Sequence, residues 1–269
     1  MSNFFNNKRV WITGASAGIG AAIAKEMAVH GAQLVLSARS ETELQQVATK
    51  CRELGAGIVI VQVMDLSRHD QIPQLVQNVL SKVGKVDILI NNGGISSTIL
   101  AKDTSLEVDK KKKLMDVNFF GTITLTKALL PSMLTHQLGH IVTITSLTGM
   151  IGSPFRTSYA ASKHALHGFF DSLRAEVHDS SIKVTLVCPG FIRTNVSINA
   201  LTGSGEKLGT MDDATNKGMA PERLARKILR AIENGRQEVY FGGKEVLAIY
   251  VKRFFPALFA KILTRAKVR

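Results

Sequence analysis

Ser146, Tyr159 and Lys163 have side-chain types and a spacing suited to proton chemistry. Tyr159 and Lys163 form a Tyr-x-x-x-Lys pair in a segment of helical composition that continues as Ala-Leu-His-Gly-Phe-Phe-Asp. Residues i and i+4 share a helix face, so a phenol and an ammonium stand side by side. A free tyrosine titrates near pKa ~10, and an adjacent cation favours the phenolate. A tyrosine tuned in this way exchanges a proton at neutral pH, as reduction of a carbonyl requires. Ser146 follows the apolar run His140–Thr145, at the end of an expected strand. Open α/β sheets place their chemistry at such ends. Taken alone, Tyr-x-x-x-Lys reads as an ordinary exposed helix pair, so the chemistry requires a cofactor site elsewhere in the chain.

The first thirty residues offer one. Val10–Thr13 is an apolar strand that runs into Gly14-Ala-Ser16-Ala-Gly18-Ile19-Gly20 and then a helix closed by Gly31. Glycines let a backbone approach a pyrophosphate, and a helix N-terminus offers free amides and a favourable dipole. The spacing is Gly-x-x-x-Gly-x-Gly rather than Gly-x-Gly-x-x-Gly. The competing reading is a packing loop without a ligand. Gln33–Ser37 is the second strand, and its end reads Ser37-Ala38-Arg39-Ser40 with no acid to hold a ribose hydroxyl. Arg39 is instead suited to a 2′-phosphate, which favours NADP(H) over NAD(H) unless it is merely a surface arginine.

Strand and helix signals then alternate. A helix over 41–54 is followed by the strand Ile58–Val63, a helix over 69–83, and the strand Val86–Ile90. Asp65 falls at the carboxyl edge of the third strand, near an adenine site, or else caps the next helix. Asn91-Asn92-Gly93-Gly94 follows the fourth strand. The region 103–136 reads as mostly helical, and Asn118 inside it is locally unfavourable, which implies a specific partner. Ile182–Cys188 and Gln237–Phe241 are further strands. The expected fold is a Rossmann-type, doubly wound parallel α/β sheet of about seven strands flanked by helices.

Composition narrows the function classes. At 269 residues the chain can bury a sizeable core. Its two cysteines, Cys51 and Cys188, give neither a disulfide framework nor metal-ligand spacing, so no metal is expected and a reducing, cytoplasmic setting is the default. Neither a signal-peptide core nor a membrane-spanning stretch is legible. The formal net charge of +13 raises nucleic acid and anionic membrane as partners. The densest basic run, Lys110–Lys113, has no interleaved aromatics and reads as a solvated helix face, so nucleic acid is not expected.

From Lys8 to Tyr240 the chain resembles the short-chain dehydrogenases/reductases. The resemblance is carried by Thr13-Gly-Ala-Ser-Ala-Gly-Ile-Gly20, Asp65, Asn91-Asn-Gly-Gly94, Asn118, Ser146, Tyr159-x-x-x-Lys163, Cys188-Pro-Gly190 and Thr194. It implies an Asn118–Ser146–Tyr159–Lys163 tetrad. Tyr159 would be the general acid/base. Lys163 would lower its pKa and hold the cofactor ribose, Ser146 would bind the substrate oxygen, and Asn118 would anchor a water. Implied cofactor contacts are Gly14, Ser16, Gly18, Ile19, Gly20, Arg39, Asp65, Asn92, Tyr159, Lys163, Pro189, Gly190 and Thr194, the last at the nicotinamide carboxamide. Gly94 departs from the family's usual alanine. His164 and His167 are expected to face elsewhere on the helix and receive no catalytic role. A homodimer or homotetramer, paired through the Asn118 and Tyr159 helices, follows from family likeness alone.

After the sixth strand, the glycine-rich segment 191–219 reads as a substrate lid. Met150, Ile151, Phe155, Phe191 and Ile192 are candidates for an apolar pocket, which suits a lipid, steroid or other bulky carbonyl, although each could equally be core. Residues 1–242 form the expected Rossmann-type unit and 243–269 an amphipathic basic extension, which Pro256 kinks or splits. That tail most resembles the apolar C-terminal extensions of the steroid- and lipid-type branch. It packs on protein or, as the alternative, lies peripherally on a membrane. The expected activity is NADP(H)-dependent hydride transfer between nicotinamide and a carbonyl or secondary alcohol. The rivals are a non-catalytic NADP-binding regulator, which would not need Tyr159 and Lys163, and a basic membrane or nucleic-acid module.

Overall fold

The computed structural model describes residues 3–103, 113–195, 198, 200, 209–210 and 213–265. Seven parallel strands form one sheet: β1 (Arg9–Thr13), β2 (Gln33–Ser37), β3 (Val59–Val61), β4 (Ile88–Asn91), β5 (Gly139–Ile144), β6 (Ile182–Pro189) and β7 (Glu238–Phe241). Their order is β3-β2-β1-β4-β5-β6-β7. The chain winds outward from β1 in one direction to β3, then returns to β4 and winds the other way. The carboxyl ends of β1 and β4 therefore flank a topological switch point, where such sheets open a crevice.

The sheet is buried on both sides, which is why β1, β4 and β5 are nearly continuous apolar runs. One face packs on α1 (Gly18–Val29), α2 (Glu41–Glu53) and, later in the chain, a helix over Pro221–Glu233; Ile12, Leu36, Ile90 and Val142 meet Ile23, Leu44 and Ile228 there. The other face packs on α3 (Ile72–Val83), α4 (Thr122–Thr135) and α5 (Thr157–Glu176), with Trp11, Leu89 and Ile141 against Val76, Leu129 and Phe170. The later helix is α6.

Two expectations change at this level, and a third takes one of its two forms. The third helix begins at Ile72, not near His69; Pro73 sits in its first turn, and 67–71 are turns. The helix before β5 carries a π-helical segment, Asp116–Gly121, between helical residues 113–115 and Thr122–Thr135, which the 3.6-residue pattern did not reveal. The tail splits at Pro256 into α7 (Leu247–Phe254) and α8 (Pro256–Arg265). The basic residues at 110–112 and much of the expected lid, including 201–208, lie outside the described residues. Among the described residues no helix is long and apolar enough to cross a membrane.

Candidate active site

The cradle forms where β1 stops. Gly14 adopts φ +64°, and a Cβ there would stand 2.8 Å from both Asn92 Nδ2 and Gly93 Cα. Only glycine accepts that backbone and that contact. Thr13 ties the β4 loop to this turn: its hydroxyl oxygen accepts from the amides of Asn92 (3.0 Å) and Gly93 (2.9 Å). Asn92 Nδ2 returns two bonds, to the carbonyls of Thr13 (3.0 Å) and Gly14 (3.2 Å). No side chain caps the start of α1, whose N-cap is Ala17. Its first amides therefore face the crevice without a side-chain acceptor, which is the donor set that a pyrophosphate needs. Ser16 and Ile19 are half-buried beside it, and Ile19 also packs on the core. Thr194 stands against the cradle, with its methyl carbon 3.3 Å from where a Cβ on Gly18 would lie. Pro189 is buried at the end of β6, and the Gly190 amide donates to the Phe241 carbonyl (2.8 Å).

The outer end of the crevice carries Arg39 and Asp65. Arg39 is exposed past the end of β2. The Asp65 carboxylate accepts from the Ser67 amide (2.9 Å) and hydroxyl (2.8 Å), so it closes its own turn and does not cap α3. Burial alone would raise its pKa. The two Ser67 bonds, followed by the charges of Arg39 and Lys113, outweigh burial and hold it below the usual carboxylate range.

On the inner side, the elements after β4 and β5 bring Asn118, Ser146, Tyr159 and Lys163 around one point. Asn118 is completely buried. Its amide binds the Ile95 backbone twice, Oδ1 accepting from Ile95 N (2.8 Å) and Nδ2 donating to Ile95 O (2.9 Å). Nδ2 also donates to Ser162 Oγ (3.0 Å), which donates to the Tyr159 carbonyl (2.8 Å). This is the specific partner its unfavourable helical setting implied. The π-helical turn frees carbonyls, and His69 Nε2 meets that of Asp116 at 2.9 Å. A Cβ on Gly94 would lie 3.1 Å from Asn118 Oδ1 and 3.7 Å from Lys163 Nζ, so those two polar groups flank the same backbone point. Ser146 Oγ accepts from the Thr148 amide (3.2 Å) and hydroxyl (3.0 Å), which fixes its rotamer beside Tyr159.

The electrostatics correct one sequence expectation. Lys163 was expected to lower the Tyr159 pKa. Its ammonium instead donates to the Ile144 carbonyl (2.9 Å) and stands 5.8 Å from the tyrosine ring centre. Burial raises the Tyr159 pKa above that of free phenol, and the groups that pull it back are Arg156 and the Ser146 hydrogen bond. Burial also brings Lys163 down to about 8.

Arg156 escaped the sequence reading. It donates from Nη1 to Ser96 Oγ (2.7 Å) and the Ser97 carbonyl (3.1 Å), and the Ile99 amide donates to the Phe155 carbonyl (2.9 Å). The β4 loop and the start of α5 are thus clamped beside Tyr159. Its partners lie about sixty residues away, so only its place three residues before Tyr159 could have marked it.

His167 lies one turn beyond Lys163 and meets a different set of groups. It is buried, with Nε2 3.1 Å from Thr145 Oγ1 and 3.7 Å from Cys188 Sγ, and Nδ1 3.7 Å from Glu238. His167, Cys188 and Glu238 offer atoms within 4.8 Å of one another. Thr145 bonds Cys188 (3.2 Å) and Tyr240 bonds Glu238 (2.7 Å), so these atoms already act as polar packing behind β5. His164, by contrast, bonds its own helix at Ala160 O.

The expected apolar pocket is partly core. Ile192 is buried against the α1 and α6 side of the sheet. Met150 and Ile151 pack with Leu147, Cys188 and Ile249. Phe155 is half-buried and Phe191 is exposed.

Residues 8–204 match the family model for short chain dehydrogenases. Among curated relatives, dehydrogenase/reductase SDR family member 7B of Xenopus tropicalis is 43% identical over 96% of this chain and 85% of its own. The SDR family protein 7-like of Drosophila melanogaster is 41% identical over 99% and 82%. A short-chain dehydrogenase/reductase from Burkholderia phymatum, solved in complex with NAD, superposes with a TM-score of 0.83 at 25% identity, covering 96% of each chain. This chain belongs to the short-chain dehydrogenase/reductase family and is an NAD(P)-dependent oxidoreductase.

Proposed function

We propose that the chain is an NADP(H)-dependent reductase or dehydrogenase acting on a carbonyl or secondary alcohol of an apolar substrate, with Tyr159 as general acid/base. The observation that carries this reading is the convergence of Ser146, Tyr159, Lys163 and Asn118 opposite a glycine cradle whose helix lacks a side-chain cap. The bound nicotinamide supplies or accepts the hydride. In the reducing direction charge builds on the carbonyl oxygen, and the Tyr159 and Ser146 hydroxyls both donate to it. Tyr159 passes its proton to that oxygen, and Arg156 and Ser146 favour the phenolate left behind. We assign Lys163, whose ammonium the Ile144 carbonyl orients, to the cofactor ribose. Asn118 holds the Ile95 backbone and with it the loop that flanks Lys163.

Arg39, with no acid at the end of β2, supports the phosphorylated cofactor, and Asp65 would then lie toward the adenine. Exposed Phe120, beside the Phe119–Phe169 ring pair of the α4 and α5 face, suits pairing into a homodimer or homotetramer. We take 1–242 as the catalytic unit in a cytoplasmic protein, with the extension 243–269 available for peripheral membrane contact. The test is titration with NADPH and, separately, NADH, following nicotinamide fluorescence, then a screen of apolar ketones. Tight NADPH and weak NADH binding is expected. Binding of neither would overturn the reading.

A further inference from the structure

The two C-terminal helices are only half used by the fold. Ile249 is buried on Leu147 and Cys188, and the Lys252 ammonium donates to the Met150 carbonyl (2.7 Å). α7 is therefore bolted to the loop that follows Ser146. Phe259 is the buried residue of α8. The remaining apolar residues point outward: Leu247, Tyr250, Phe254, Phe255, Leu258 and Ile262 are half of the twelve large hydrophobic side chains exposed among the described residues. They recur at three- and four-residue steps along each helix, and Phe254 and Phe255 are 68% and 63% exposed. A single exposed apolar residue means little, but a contiguous run of them marks a contact surface.

The charges identify what that surface meets. From Val246 to Arg269 the sequence holds Lys252, Arg253, Lys261, Arg265, Lys267 and Arg269, and neither Asp nor Glu. A second copy would bring the same cations face to face across a two-fold axis, in a chain that already carries +13. A nucleic acid would satisfy the charge but offers no apolar depth for the phenylalanines. A bilayer with anionic headgroups offers both. We propose that the outer face of α7 and α8 docks on an anionic lipid surface and sets the mouth of the site against it. The docking stands on the helices themselves. Only its use in delivering an apolar substrate rests on the proposed activity.

The test uses the full chain in co-sedimentation with phosphatidylcholine vesicles, and with vesicles containing about one third phosphatidylglycerol. Partitioning onto the anionic vesicles should be at least about tenfold stronger, and should weaken with added salt. The double variant Phe254→Ser, Phe255→Ser should lose it while keeping NADPH affinity, measured without vesicles, since neither side chain supports the core. Equal partitioning onto both vesicle types, or equal retention of the variant, would overturn the proposal. So would a variant that loses a subunit partner in sedimentation velocity with its vesicle binding unchanged, which would make the face a subunit contact. A chain that binds NADPH but no vesicles fails this proposal alone, and the converse fails the activity alone.

Discussion

The Lys163 ammonium donates to the Ile144 carbonyl, two residues before Ser146, so the cation on α5 is fastened to the strand that presents the serine. Burial brings its pKa to about 8. A bound anionic cofactor would raise that value. Affinity linked to the ammonium is therefore full below about pH 8 and lost as pH rises through it. The dissociation constant for NADPH should increase roughly three- to tenfold between pH 7 and 9. Lys163→Met should bind weakly at both. Fluorescence titrations across that range decide it, and a flat wild-type profile would remove Lys163 from cofactor binding.

Tyr159→Phe removes one hydroxyl and leaves the ring against its neighbours. Turnover should fall by about a hundredfold or more, with NADPH affinity unchanged. The pair of measurements matters, because a structural role for Tyr159 would lower both. Substantial residual turnover would assign the proton to another group.

Arg39 is exposed, and its charge acts on Asp65 across the ends of β2 and β3. Arg39→Asp places there a carboxylate that accepts from a ribose hydroxyl and repels a 2′-phosphate. The ratio of NADPH to NADH affinity should drop by about tenfold or more. An unchanged ratio would return Arg39 to the surface.

Arg39, Tyr159 and Lys163 could be picked out because each lies within a local pattern: a strand end without its acid, and two residues one helical turn apart. What was not legible depends on contacts between distant segments. Arg156 matters through Ser96 and Ser97, and no local spacing encodes that clamp. The direction of the Tyr159 shift was misread because pairing with Lys163 was weighed without burial, which is the larger effect. His167 keeps off Tyr159, but its burial against Thr145 and Cys188 depends on β5 and β6, which no local spacing shows. It lies one turn beyond Lys163 and follows it inward to Thr145. Asn118 was marked by its poor fit to a helix, a local conflict that the π-helical turn and Ile95 resolve.

Asn118→Ala should therefore cost stability as well as activity. It leaves the Ile95 N–H and carbonyl without their side-chain partner in a partly buried setting, at about 1–3 kcal/mol. Denaturant unfolding without cofactor reads this directly. A variant as stable as the wild type would mean that water replaces the amide, and the positioning role of Asn118 would fall.

His140 gives the fold its own pH dependence, apart from the site. It lies 5% exposed on β5, with Nε2 2.7 Å from Thr185 Oγ1. The Thr185 hydroxyl donates to the Arg236 carbonyl, so the imidazole must be the donor to Thr185, through Nε2–H. Burial, helped by the Lys183 charge, depresses its pKa from 6.5 to about 4. The unfolded chain thus binds this proton at a higher pH than the folded one. Stability is full above about pH 6.5 and is lost as pH falls toward 4, by about 2 kcal/mol at pH 5. His140→Gln carries no titrating group there. Unfolding measured at pH 7.5 and 5 should show a smaller loss in the variant than in the wild type by that amount. Equal losses would mean that His140 takes up its proton as readily in the folded chain as in the unfolded one.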